Sequence, residues 1–242
     1  MNEIKEKTIG EIVADDYRAA AVFESYGIDF CCGGNITMEE ACRQKSVNAI
    51  ELTDKLAAIA SNQQGTTVDF KSWPLDLLAD YIQKKHHRYV EEKTPILKHY
   101  LETVCSAHGD SHPELFEIKE AFDASAGQLA MHMKKEELML FPFIRKMVQA
   151  KSSGQTLPQA PFGKIGNPIH AMIEEHDTEG DRFKKISALS HNYTVPPDGC
   201  NTYMVTFALL KEFEDDLHLH IHLENNILFP KAIELEKEFI KN

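Results

Sequence analysis

The chain has 242 residues, 43% of them hydrophobic and 26% charged, a length and balance that admit one large domain or two smaller ones and exclude a disordered or collagen-like chain. Lys and Arg number 26 against 38 Asp and Glu, a formal net charge of −12 that disfavours nucleic-acid backbones and anionic membrane surfaces as partners. No apolar run approaches the ~20 residues of a membrane span, and the start, MNEIKEKTIGEIV, lacks the apolar core of a signal peptide, so the expected location is the cytoplasm.

The N-terminal part holds short helical patterns over 8–26, 38–44 and 47–60, the last with Leu52, Leu56 and Ile59 at helical spacing. Between the first two lies Cys31-Cys32-Gly33-Gly34. With Cys42, Cys105 and Cys200 these make five cysteines. An odd number with two adjacent is a poor disulfide framework, so reduced thiols are expected, the last three packing as small apolar side chains. Residues 62–67 are polar and unpatterned and read as part of a linker. The expected organisation is a small helical domain over 1–62, a linker over 63–72 and a larger domain over 73–242.

Beyond the linker four long helical segments follow, roughly 73–106, 113–150, 166–191 and 199–241. They are separated by Gly109 to Pro113, by a loop from Gly154 through Pro158, Pro161 and Gly163, and by Val195-Pro196-Pro197-Asp198-Gly199. Long helices with short connections predict an antiparallel four-helix bundle, and strand signals are weak throughout. The fold class expected is therefore all-α.

The bundle contains an internal repeat. His132-x3-Glu136-x3-Leu140-Phe141-Pro142 returns 88 residues later as His220-x3-Glu224-x3-Leu228-Phe229-Pro230. Four residues advance a helix by about 400°, so each His and Glu project from nearly the same side. A proline inside a helix costs about 3 kcal/mol; placing it identically twice marks a shared, shaped unit. The first segment adds His86-His87 and the third Glu175-His176-Asp177. One imidazole from each odd segment and a His/Glu pair from each even one give four imidazoles and two carboxylates. Zinc structural sites favour Cys and His, and calcium and magnesium favour oxygen shells; a mixed set in a helical bundle points to a di-iron or di-manganese pair of the His-rich haemerythrin type.

These motifs together resemble the iron–sulfur cluster repair di-iron family, over nearly the whole chain. The resemblance rests on Tyr26-Gly27-Ile28-Asp29-Phe30-Cys31-Cys32-Gly33-Gly34, both repeats, Glu175-His176-Asp177, and a His eight residues before Pro95. It implies a haemerythrin-like four-helix bundle and two bridged non-haem irons on His87, His132, Glu136, His176, His220 and Glu224, with Glu136 and Glu224 bridging. His87 is chosen over His86 on the family's spacing to Pro74 and Pro95; helical periodicity leaves the two open. Glu175 resembles a carboxylate beside the ligands. One departure is Gln128, where the family has a Glu one turn before His132. For Cys31 and Cys32 the resemblance implies a redox or iron-transfer role, against a purely structural turn set by Gly33-Gly34; attack on disulfides or iron binding needs a thiolate, hence a lowered pKa. The implied function is repair of clusters damaged by oxidative or nitrosative stress, by iron donation, by binding or reducing nitric oxide, or both. Damaged iron–sulfur proteins are the implied partners, nitric oxide or O2 the small ligands, and a homodimer the assembly. The competing reading is a haemerythrin-like carrier or sensor of O2 or nitric oxide. His218 and His222, two residues either side of His220, are expected to point away from the ligands, and His99, His108, His112, His170 and His191 fit solvated or loop positions.

Overall fold

A computed structural model describes residues 2–61, 68–157 and 159–240. Its helices, in chain order, are α1 (Asn2–Glu6), α2 (Ile9–Asp15), α3 (Ala19–Ser25), α4 (Met38–Lys45), α5 (Ala49–Ser61), α6 (Leu75–Tyr81), α7 (Arg88–His108), α8 (Glu114–Lys135), α9 (Phe141–Ser153), α10 (Gly166–Leu189), α11 (Asn201–Leu223) and α12 (Phe229–Ile240). Among the described residues there is no strand beyond isolated bridges at Thr8/Thr37 and Ala160/Gly163, so the all-α expectation holds. No described helix is long and apolar enough to cross a membrane. The chain divides into two compact units, 1–78 with 221–242, and 79–220. The C-terminal end of the fourth segment thus groups with the N-terminal residues, a boundary that hydropathy alone does not mark.

In the first unit, α2 opens with a capping box: Thr8 Oγ1 accepts from Glu11 N at 3.2 Å while Glu11 Oε2 accepts from Thr8 N at 2.9 Å. Thr37 caps α4 in the same way through Glu40 N. The helical pattern over 8–26 is two helices, broken where Asp16 turns extended and its carboxylate ties the backbone and guanidinium of Arg18. Ile9, Val13, Phe23, Met38 and Leu52 form the core. Of the linker expected at 63–72, positions 63–67 lie outside the described residues; Phe70–Ser72 form a 3-10 turn capped by the Asp69 carboxylate.

In the second unit, short connections fold α7, α8, α10 and α11 back and forth. Leu97, Leu101 and Val104 of α7 and Leu115, Ile118, Phe122 and Leu129 of α8 recur every three or four residues and are buried. Phe213 of α11 lies where all four helices meet: its ring is edge-on to Phe122 of α8 at 5.3 Å, stacked on Phe183 of α10 at 5.8 Å and 6.1 Å from Tyr89 of α7. Edge-on and offset rings add to the burial of such a core.

Three segments are π-helical rather than α-helical: Ile82–His87, Glu136–Leu140 and Glu224–Leu228. In the last two the bond runs five residues back, from Phe141 N to Glu136 O and from Phe229 N to Glu224 O. This is how the repeated Leu-Phe-Pro is accommodated. A proline one residue later has no N–H to donate and its ring crowds the preceding turn, and the wide turn makes room for it.

Candidate metal centre

The π turns carry the candidate ligands. His87 ends the first, Glu136 begins the second and Glu224 begins the third. Insertion of an extra residue into a helix is often found where function requires a side chain to be re-aimed.

Within the second unit the expected residues converge. Donor atoms of His87, Glu136 and His220 lie within 4.8 Å of one another, as do those of His132, Glu136 and His176. Glu136 belongs to both groups, its Oε2 standing 3.4 Å from His87 Nε2 and 3.4 Å from His132 Nε2. His176 Nε2 is 3.0 Å from His132 Nε2. All five side chains are at most 2% exposed. Phe141 stacks on the His87 ring at 5.6 Å, so the repeated aromatic forms an apolar wall beside the cluster. Glu224, in the first unit, is fully buried in its own π turn.

The outer nitrogens of two of the imidazoles are held. His87 Nδ1 donates to Glu137 Oε1 at 3.0 Å and His132 Nδ1 to Glu175 Oε2 at 2.8 Å. With the proton on Nδ1, each Nε2 lone pair is turned toward Glu136. This carboxylate–histidine pairing fixes ring orientation and tautomer in metal sites. Partial burial by itself would raise both carboxyls. Lys134 and His87 outweigh it at Glu137, and Lys135 and His132 at Glu175, so both are held below the usual carboxylate range. Four imidazole nitrogens and a carboxylate drawn together in the interior, with two of the rings tied back at their outer nitrogens, are a donor set suited to a borderline transition-metal ion.

His86 is as buried as His87 but turns elsewhere: its Nδ1 meets Asp216 Oδ2 at 3.0 Å and its ring stacks on His220 at 5.6 Å. Gln128 accepts from Arg182 Nη2 at 2.7 Å. Arg182 also pairs with Glu179, a carboxylate only 2% exposed that accepts from Ser125 Oγ. Burial raises the Glu179 carboxyl. The position occupied by Gln128 is therefore neutral, while a buried acid stands on the adjacent helix. Glu137, Glu179 and Asp216 escape the sequence reading. Each follows or precedes a candidate ligand by one, three or four residues, and only the last two spacings would have flagged a shared helical face.

The first unit holds the vicinal cysteines. Asp29 Oδ1 accepts from the backbone N of Cys31 at 3.1 Å and of Cys32 at 3.0 Å, and from Cys31 Sγ at 3.4 Å. The two Sγ atoms are 3.7 Å apart, unbonded, and with the Asp29 carboxylate form a third group of donors within 4.8 Å. The bond to Cys32, burial and the charge of Asp29 all push the Cys31 thiol up, opposite to the lowered pKa its chemistry was expected to need. The loop is docked on the third π turn. Asn225 Nδ2 donates to Cys31 O at 3.3 Å, and Asn226 Nδ2 to Phe30 O at 3.3 Å and Cys31 O at 3.4 Å. Gly10 N bonds Gly34 O at 2.8 Å, and a Cβ on Gly10 would overlap Asn226 Oδ1. His222 avoids the ligand cluster as expected, yet it is 1% exposed, packed against Tyr17 and Phe30. Its polarity concealed a structural role. Cys42 and Cys105 are buried as expected; Cys200 is exposed, because it lies just before α11 and not on its inward face.

Comparison with known proteins matches two segments of the chain. Residues 5–60 match the ScdA_N family, described as a domain of unknown function (DUF542), and residues 78–232 match the haemerythrin HHE cation-binding domain. The iron–sulfur cluster repair protein ScdA of Staphylococcus haemolyticus is 30% identical over 226 residues, covering 93% of this chain and 97% of its own length. The iron–sulfur cluster repair proteins YtfE of Musicola paradisiaca and of Escherichia coli O81 are 32% and 31% identical over 229 residues, each covering 95% of this chain and 97% of their own.

Proposed function

Because this chain belongs to the haemerythrin HHE family and aligns with iron–sulfur cluster repair proteins over most of its length, we propose that it repairs damaged iron–sulfur clusters with two non-haem irons held in its bundle. The observation that carries the reading is the pair of imidazoles whose Nδ1 atoms are tied to Glu137 and Glu175 while their Nε2 atoms converge on Glu136. In this reading His87, His132, His176 and His220 are the nitrogen ligands, and Glu136 and Glu224 supply the bridging oxygens. Glu224 is included because the second repeat keeps the spacing of His, Glu, Leu, Phe and Pro of the first, down to its π turn.

A ferrous pair would supply electrons and open coordination positions for nitric oxide. The chain's own residues do the rest. Glu137 and Glu175 keep the proton on the outer nitrogens, so the inner lone pairs stay available. Leu140, Phe141 and Phe143 exclude water from the bundle interior. Glu179, its carboxyl raised by burial, accepts from Ser125 and pairs with Arg182.

Cys31 and Cys32 serve as the hand-off point for iron rather than as a free nucleophile. With Asp29 they offer three donors to a cation in transit, which would itself displace the thiol protons. Without a cation, Cys31 keeps its proton. Damaged iron–sulfur proteins are the recipients, and the assembly is a homodimer in the cytoplasm. The test is anaerobic incubation of the reduced, metal-loaded protein with a nitric-oxide-damaged dehydratase of the aconitase type. Recovery of dehydratase activity, lost in Cys31→Ser/Cys32→Ser although that variant retains its metal, is the expected result. Nitric oxide returned unchanged with no recovery would establish a gas carrier instead.

A further inference from the structure

A second reactive centre stands at the other end of the bundle. Each of its parts belongs to the second unit. Cys200 directly precedes α11 and is exposed. Its Sγ is 3.2 Å from His108 Nε2, at the last residue of α7. The sulfur stands at the start of α11, where the backbone N–H groups of Tyr203 and Thr202 lower its thiol, and so faces the positive end of a long helix. Gly109 lets the chain turn immediately after His108, since a Cβ there would overlap Cys105 O and the Phe116 ring. The His108 ring is edge-on to Tyr203 at 5.4 Å, which fixes its orientation.

The surroundings are equally ordered. His112 Nε2 meets Asp198 Oδ1 at 3.1 Å, and its Nδ1 meets Glu114 Oε1 at 3.0 Å. His112, Glu114, Tyr203 and Phe207 line a cleft of about 230 Å³ beside the pair, with His191 and Pro196 on its rim. α7 has 21 residues, so at ~1.5 Å per residue this centre is about 30 Å along the helix from His87. It takes no part in the metal cluster.

We propose that Cys200 is a site of reversible mixed-disulfide formation with a low-molecular-weight disulfide, activated by His108. In this step the Cys200 thiol passes its proton to His108 Nε2, and the thiolate attacks one sulfur of the small disulfide. A new S–S bond forms at Sγ as the reagent's S–S bond breaks, and the departing thiolate takes the bonding electrons and the proton from His108. One thiol and one disulfide give one mixed disulfide and one thiol, with no other reactant.

The other cysteines supply the contrast. Burial raises the thiols of Cys42 and Cys105, and Cys31 is raised further, whereas the backbone donors of Tyr203 and then His108 lower Cys200 to about 7. The titrating groups around it are His108 on α7, His112 and Glu114 at the start of α8, Asp198 in the preceding loop, and Tyr203. At pH 7 about half of such a thiol is ionised, against roughly 3% for an ordinary one at ~8.5; its weaker intrinsic nucleophilicity leaves a net gain of about threefold.

The test treats full-length, metal-loaded protein with oxidised glutathione between pH 5.5 and 9, quenches with acid and maps the modified peptides by mass spectrometry. Glutathione should appear first on Cys200, with a rate–pH midpoint near 7 and a rate at pH 7 about threefold that of an unstructured peptide thiol. Cys200→Ser should remove the fast phase, and His108→Gln should move the midpoint upward. First modification at Cys31 or Cys32, a wild-type midpoint at or above ~8.5, or a midpoint indifferent to His108→Gln would each overturn the proposal. The wild-type midpoint needs no variant to fold.

Discussion

The two copies of the repeat share a backbone and differ between their fixed residues, most tellingly in the two that follow each glutamate. In both, a glutamate opens a π turn whose fifth bond closes on the phenylalanine before a proline. After Glu136 come Glu137 and Leu138; after Glu224 come Asn225 and Asn226. Glu137 reaches back to hold the His87 ring, and Leu138 and Met139 are left 73% and 46% exposed. Asn225 and Asn226 instead donate to the carbonyls of the cysteine loop. One wide turn thus does two jobs. It aims a buried carboxylate and frees the residues after it, of which Glu137 ties back the His87 ring in one copy and the two asparagines hold the cysteine loop in the other. Duplicated chemistry stays fixed while the adjacent residues specialise.

The largest effects should come from the shared element. Glu136→Ala should abolish retention of at least one metal ion per chain while helical content by circular dichroism stays near wild type, and Glu224→Ala should behave alike. A variant at one copy that keeps its full metal complement would break the equivalence of the two turns.

Next in size are the specialised neighbours. Glu137→Gln leaves His87 with a poorer hydrogen-bond partner and should weaken metal affinity about 10- to 100-fold, read by chelator competition. Asn225→Ala, at the equivalent position, should leave that affinity unchanged. Equal effects would mean that the copies have not diverged in role.

Asn226→Ala removes bonds to Phe30 O and Cys31 O and should destabilise the loop by about 1–3 kcal/mol. The readout is faster alkylation of Cys31 with unchanged metal content. The smallest effect is expected at Leu138→Gln, an exposed position in the first copy, which should shift stability by no more than about 0.5 kcal/mol in denaturant unfolding. A larger loss there would mean that Leu138 is covered in solution.

The repeat's ligand residues could be read from the sequence because His and Glu four apart share a face in any helix close to α geometry. The π turns could not. They leave hydropathy unchanged and alter only which residues share a face, which is why periodicity left His86 and His87 open: the segment from Ile82 to His87 does not follow the α period. The roles of Glu137 and Glu179 were hidden because surface-type residues carry no mark of burial. The contacts of His222 with Tyr17 and Phe30, some two hundred residues away in sequence, are out of reach of any local pattern. Cysteine is usually buried, so the sequence favours a packed Cys200. Its position just before a helix, where backbone donors face the sulfur, outweighed that preference.

Elemental analysis of anaerobically purified wild-type protein from iron-replete cells, measured beside Glu136→Ala, reads whether the convergent imidazoles and carboxylates hold a pair of irons. About two irons per wild-type chain, as in a di-iron carboxylate bundle, and a clear loss in the variant are expected. One metal per chain, zinc in place of iron, or equal iron in both proteins would show that they do not.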